Sequence, residues 1–150
     1  MRAKFLFAAL RWVPAFAIVC VSWHLSSLPR IEMMPSFWNA DKLVHTVCFA
    51  GLAFWAAFGA KAHALRSSWI PALLVSAYGI IDEVHQSFTP GRSSSVPDWC
   101  ADTLGGIIGS LAFVAALSVL SAIRSGSAKS GKVADNAIGR GRSDKTRAGN

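Results

Sequence analysis

The sequence predicts an all-α integral membrane protein, a four-helix bundle with both termini in the cytoplasm. Three observations predict it. Hydrophobic residues make up 53% of the 150-residue chain, and the mean hydropathy is +0.40. These residues gather into four runs, each near the roughly 20 residues that cross a hydrocarbon core. Lys and Arg are distributed unevenly between the two ends of those runs, which sets orientation. The length leaves room for one domain, with the helices in residues 1–123 and a basic tail at 124–150.

The first run spans Phe5 to Leu25 and is interrupted by Arg11 and Pro14. Arg2 and Lys4 ahead of an apolar stretch, with Ala15-Phe16-Ala17 beyond, also fit a cleaved signal peptide. Arg11 breaks that stretch, however, and the chain stays apolar after the tripeptide, so a retained helix is expected. Its proline is tolerable because neighbouring helices can satisfy the freed carbonyl. The second run, Leu43 to Ala60, holds one strongly polar residue, His45. The third extends from Trp69 into Ile81 and continues, with charges, to Phe88; the fourth, Leu104 to Ile123, carries no charge. Between the first two runs, Met33, Met34, Phe37 and Trp38 form an apolar loop suited to lying on the membrane surface. The tail from Arg124 is rich in Gly, Ser, Ala and basic residues, a composition that predicts disorder.

The formal charge of +7 raises nucleic acid as a partner, but seven of the fifteen Lys and Arg residues lie in the tail. The charge therefore reads as membrane topology, with no nucleic-acid partner expected. With the N-terminus inside, twelve basic residues face the cytoplasm and three, Arg30, Lys42 and Arg92, face outward. Localisation in the inner, cytoplasmic membrane of a bacterial cell as a multi-pass protein follows. Trp23, Trp38 and Trp99 then fall near the outer interface and Trp69 near the inner one. Cys20, Cys48 and Cys100 lie far apart in or beside apolar runs, which gives neither a disulfide framework nor a zinc site and suits small apolar fillers.

This topology gathers scattered polar residues at one end. Asp41, Lys42 and His45 open the second helix on the outer side. Asp82, Glu83, His85 and Gln86 close the third there, Arg92 follows in the loop, and Asp98 and Asp102 open the fourth. Asp41 and His45 are i,i+4 neighbours, so the carboxylate can orient the imidazole. Asp82 has His85 and Gln86 at i+3 and i+4. Asp98, Asp102, Gly105 and Gly109 share a stripe whose GxxxG permits a close helix approach.

Folding rules account for part of this pattern. Asp41 and Asp98 sit at helix N-termini, where a carboxylate is favoured by about 0.3–1 kcal/mol, and Ser95 to Asp98 resembles a capping box. Lys42 and Arg92 also suit an interface, with stems in oil and charges in water. Asp82 and Glu83 have no such explanation, because a helix C-terminus disfavours negative charge and desolvation near oil is costly. Asp102 lies a turn deeper than a cap needs. Such residues mark either a salt-bridge network that locks helices together or a binding or catalytic site.

As a site, Glu83 or Asp82 would act as general base, with His45 or His85 as proton donor or acceptor. Lys42 and Arg92 would hold an anionic headgroup such as phosphate, and Asp41, Gln86, Asp98 and Asp102 would complete the ligand-binding set. The expected partner is an envelope lipid or lipid-linked molecule. The sequence names no cofactor, which stays unknown at this point, and no metal is assigned. His45, Glu83 and Asp98 are of ligand type, but no zincin-type spacing joins them. A binder without catalysis would use the same cluster for the headgroup and the Met33–Trp38 loop for the apolar part. A transporter fits less well, because its charges would lie near the midplane.

The chain resembles the VanZ-like family. The resemblance rests on Ser26-Ser27-Leu28-Pro29, Asp41-Lys42 with His45, Asp82-Glu83-Val84-His85-Gln86, Phe88-Thr89-Pro90-Gly91-Arg92, Ser94 to Asp98, and Asp102-Thr103-Leu104-Gly105. It spans residues 10 to 122. The sequence departs at Asp102, where many relatives carry Asn, and at Trp99-Cys100. The resemblance implies a four-helix membrane protein of the cell envelope. It also implies a link to antibiotic resistance, through a namesake associated with low-level resistance to the lipid-tailed glycopeptide teicoplanin.

Overall fold

The computed structural model describes residues 2–29 and 40–147, with side chains as far as residue 127. The Met33, Met34, Phe37 and Trp38 loop and Arg30 lie outside the described residues. Five α-helices follow in order: α1 (Arg2–Leu10), α2 (Val13–Ser26), α3 (Ala40–Ala60), α4 (Trp69–Gln86) and α5 (Val96–Arg147). There is no strand among the described residues. Counting α1 and α2 as one interrupted span gives the four helices expected. The chain divides into two compact units, Met1–Ala115 and Ala116–Asn150. The second holds the rest of α5, whose helical geometry continues past Ile123 to Arg147, through the segment for which composition predicts disorder.

The interruption between α1 and α2 has a local cause. Pro14 lies at the start of α2 and has no N–H to return to the preceding turn. Arg11, at the break, is drawn to the far end of α3. Its Nε donates to the Phe58 carbonyl at 3.2 Å and its guanidinium carbon lies 4.5 Å from the centre of the Phe58 ring. A cation thus satisfies a C-terminal helix carbonyl and an aromatic face together, which explains an arginine inside an apolar run. Next to it Trp12 packs on Gly59, where a Cβ would come within 2.6 Å of the indole. The α3 helix ends on Lys61, which adopts a left-handed φ of 55°, and Ala62 N–H closes back on the Ala57 carbonyl at 3.0 Å, a Schellman-type stop.

Three segments are long and apolar enough to cross a membrane: Lys4–Ser26, Ala40–Ala60 and Val96–Ser127. The α4 helix, with 18 residues, rises about 27 Å and is not among them, because its last turn is Asp82-Glu83-Val84-His85-Gln86. Burial is inverted relative to a water-soluble domain. Phe49, Leu52, Ala53, Ala56 and Val75 form the apolar centre, yet the largest fully buried side chains are Asp82, Asp102, Pro71 and Ser110. Leu73, Ile80, Ile81, Val84, Val47 and Leu104 point outward. Large aliphatic groups outside and small or polar groups inside suit a lipid solvent, where close helix contact replaces hydrophobic exclusion.

The closest such contact joins α5 to α3. A Cβ at Gly105 would collide with the Thr46 carbonyl and one at Gly109 with the Ala50 carbonyl, so the two backbones touch through the GxxxG. Thr46 Oγ1 also donates to the Ala101 carbonyl at 3.3 Å. On the α4 side, the Ser76 and Thr103 hydroxyls are hydrogen-bonded at 2.8 Å and Trp99 Nε1 donates to the Ser76 carbonyl at 3.1 Å. Trp99 is therefore tied to a neighbouring helix, beyond its expected place near an interface.

Candidate functional site

The up-and-down course of α2 to α5 brings the C-terminal turns of α2 and α4 together with the N-terminal turns of α3 and α5. The acids, His45 and His85, Lys42 and Arg92 consequently fall at one end of the first unit.

His45 is the centre of the cluster. Its Nδ1 is 2.8 Å from Asp102 Oδ1, and Asp102 is fully buried. The i,i+4 expectation for Asp41 does not hold in the structure: Asp41 accepts from Lys42 Nζ at 2.8 Å, and Asp102, across from α5, orients the imidazole. Lys42 also reaches Asp98 Oδ1 at 3.0 Å, bridging α3 and α5. Gly79 makes room for Asp102, since a Cβ there would lie 3.0 Å from Asp102 Oδ2 and 3.3 Å from the Trp99 ring. That oxygen, Asp102 Oδ2, is buried and without a hydrogen-bond partner.

Glu83 is divided between two tasks. Its Oε2 accepts the Ser95 N–H, the donor that Asp98 would satisfy in a closed capping box. Ser95 Oγ still accepts from Asp98 N–H at 3.3 Å, so half of the box forms locally and α4 supplies the other half. The Asp98 carboxylate is thereby free for Lys42. The second Glu83 oxygen, Oε1, is buried and has no hydrogen-bond partner.

Asp82 is fully satisfied. Ser26 Oγ donates to Oδ1 at 2.7 Å and Gln86 Nε2 donates to Oδ2 at 2.9 Å, so the expected Asp82–Gln86 pair forms. His85 leaves that group. Its Nε2 is 2.9 Å from Ser27 Oγ and its ring stacks on Trp23 with centroids 3.8 Å apart. His85 therefore fastens α4 to the end of α2, apart from the acids. Arg92 lines a cavity of about 50 Å³ together with Ser26, His45 and Asp82. The Glu83 side chain lines a second cavity of about 200 Å³ with Ser95 and Trp99.

One group has metal-ligand chemistry. A ligand atom from each of His45, Glu83 and Asp98 lies within 4.8 Å of the other two. Linear spacing cannot mark this set, because its members come from three helices. Gly79 is the contact that the sequence did not mark, while Trp23, Ser26, Ser27 and Ser95, marked there for an interface, a resemblance and a cap, acquire partners among the acids and His85.

Residues 4–119 match the family described as VanZ/LLP1. No curated protein and no solved structure matches the chain. The match covers the interrupted first span, both buried-acid helices and the glycine-paired stretch of α5, and on that extent the chain belongs to the VanZ/LLP1 family of membrane proteins.

Proposed function

We propose that the polar end of the bundle binds, and acts on, the headgroup of a lipid-linked or other amphipathic envelope ligand at the outer membrane–water interface. The observation that carries this reading is the convergence of His45, Glu83 and Asp98 beside a cavity lined by Arg92, at one end of helices whose outer faces are aliphatic. Two buried carboxylate oxygens, Glu83 Oε1 and Oδ2 of the Asp102 that contacts His45, have no hydrogen-bond partner. An unsatisfied charged group in low dielectric costs at least about 1–3 kcal/mol, which a purely structural lock would not keep. The distribution of Lys and Arg supports an outward-facing site with both termini cytoplasmic in the inner membrane.

Roles divide by what each side chain already holds. Glu83 Oε1 has a free acceptor, so Glu83 is the general base. Asp82, with both oxygens engaged by Ser26 and Gln86, positions α4 against α2. His45, steered by Asp102, moves the proton. Arg92 forms no ion pair among the described residues and is available to an anionic headgroup. A non-catalytic reading, in which the charges only lock the helices, is favoured by the Asp41–Lys42–Asp98 bridge.

The test is reconstitution of the full chain in vesicles carrying polyprenyl-phosphate-linked saccharides, with lipid products read by mass spectrometry. An enzyme loses turnover in Glu83→Gln while it still retains the lipid. A binder makes no product and loses lipid retention in graded steps across Glu83→Gln and Arg92→Gln. Neither product nor retention, or labelling of Arg92→Cys from the cytoplasmic face alone, overturns the proposal.

A further inference from the structure

We propose that His45, Glu83 and Asp98 form a binding site for a first-row transition dication such as Zn²⁺ or Mn²⁺, with Asp102 as the residue that positions His45. This deepens the functional reading by naming what the same cluster holds, and it rests on that reading for its biological meaning but not for its test.

Geometry argues first. The three ligand atoms lie within 4.8 Å of one another, whereas ligands about 2.0–2.2 Å from a tetrahedral ion sit roughly 3.4 Å apart. Closing that gap takes a movement of about 1 Å, well within side-chain reach. Three protein ligands leave a fourth position open, as in sites where a metal meets water or substrate. An imidazole in the set selects transition ions over Mg²⁺ or Ca²⁺, which take oxygen ligands.

Hydrogen bonding gives the independent argument. Asp102, with no exposed surface, engages His45 Nδ1 at 2.8 Å. With the proton on Nδ1 shared with that carboxylate, Nε2 is left as the ring's free lone pair, the arrangement by which carboxylates support metal-bound histidines. Glu83 is 6% exposed, and its Oε1 is buried with no hydrogen-bond partner, so a strong acceptor is left for a ligand that no described residue supplies. Electrostatics agree. Four carboxylates, those of Asp41, Glu83, Asp98 and Asp102, share one ammonium, Lys42, which engages Asp41 and a single oxygen of Asp98. A bound dication would offset this excess at the buried Glu83 and Asp102, which solvent does not reach as it reaches Asp41.

The experiment uses the full chain in mild detergent, stripped with a chelator and checked for fold by circular dichroism. Co²⁺ is titrated by its visible absorption, and Zn²⁺ by competition with a chromogenic chelator. One ion per chain is expected, with affinity at least about tenfold weaker in His45→Ala, Glu83→Gln and Asp98→Asn. Asp102→Ala should weaken binding about 10–100-fold, the range for residues that support a metal-bound histidine, and should alter the Co²⁺ spectrum. His24→Ala and His63→Ala, at exposed histidines outside the cluster, should change nothing. No stoichiometric binding by the folded wild-type chain overturns the proposal, as does binding that disappears with His24 or His63. Failure here with lipid turnover intact removes the metal and leaves the functional reading. Binding without turnover does the reverse.

Discussion

Replacing Gly109 with alanine should loosen the whole polar end of the bundle from more than 10 Å along the helix. A Cβ at this position would strike the Ala50 carbonyl oxygen, with the carbonyl carbon at 2.7 Å and the Cα at 2.9 Å. These are backbone atoms of α3, so no side chain can swing aside, and the helices must part by about 1 Å. Overpacking of this kind costs about 1–3 kcal/mol, and a rigid backbone obstacle puts Gly109 at the upper end. Alanine returns about 1 kcal/mol of helix propensity, for a net loss of about 2 kcal/mol. Asp102 lies two turns away on the same stripe, so the displacement also stretches its 2.8 Å contact with His45. Unfolding free energy is measured by dodecyl sulfate titration in mixed micelles, followed by circular dichroism. Gly51→Ala and Gly126→Ala are the references, because their Cβ atoms meet only Ile18 at 3.9 Å and open space respectively. A Gly109→Ala chain as stable as Gly51→Ala would refute the close α3–α5 approach.

Three further outcomes are expected in the same titration. Asp82→Ala strands the Ser26 hydroxyl and leaves the Gln86 amide only a 3.4 Å contact with Ser26 Oγ, for a loss of about 1–3 kcal/mol; Asp82→Asn, which keeps one acceptor for Ser26, should recover part of it. Gly79→Ala places a methyl 3.0 Å from Asp102 Oδ2 and 3.3 Å from the Trp99 ring; a loss of about 1 kcal/mol should come with a shift in tryptophan emission. Lys61→Gly should instead stabilise by about 1 kcal/mol, because a side chain is strained at φ 55°.

The grouping of acids, imidazoles and cations at one end was legible in the sequence because it follows from order alone: helices that reverse direction alternate their ends. The GxxxG was legible for a similar reason, since its spacing prescribes a smooth face whatever the partner. Partnerships across helices were not. The spacing of Asp41 and His45 is right for a pair, but Lys42 captures Asp41 while His45 Nδ1 turns toward α5. His85 has the right offset from Asp82, yet the Trp23 ring and the Ser27 hydroxyl hold it elsewhere. Local periodicity gives a residue's face, and which helix lies against that face is decided by packing. Arg11 illustrates the same limit: it looked like a flaw in an apolar run until the Phe58 carbonyl and ring came into view.

The polar last turn of α4 bears on how the protein is made. This helix is the poorest candidate for entering oil alone, and it carries both adjacent acids. Joined to α3 through residues 61–68, it is suited to leave the insertion machinery as a hairpin, sheltered by an apolar escort. The Ser26 hydroxyl that Asp82 needs is synthesised earlier and already waits at the end of α2. The Ser95 amide that Glu83 needs emerges only with α5. A nascent chain that stops short of its last helix therefore leaves Glu83 Oε2 without the donor it has in the finished bundle.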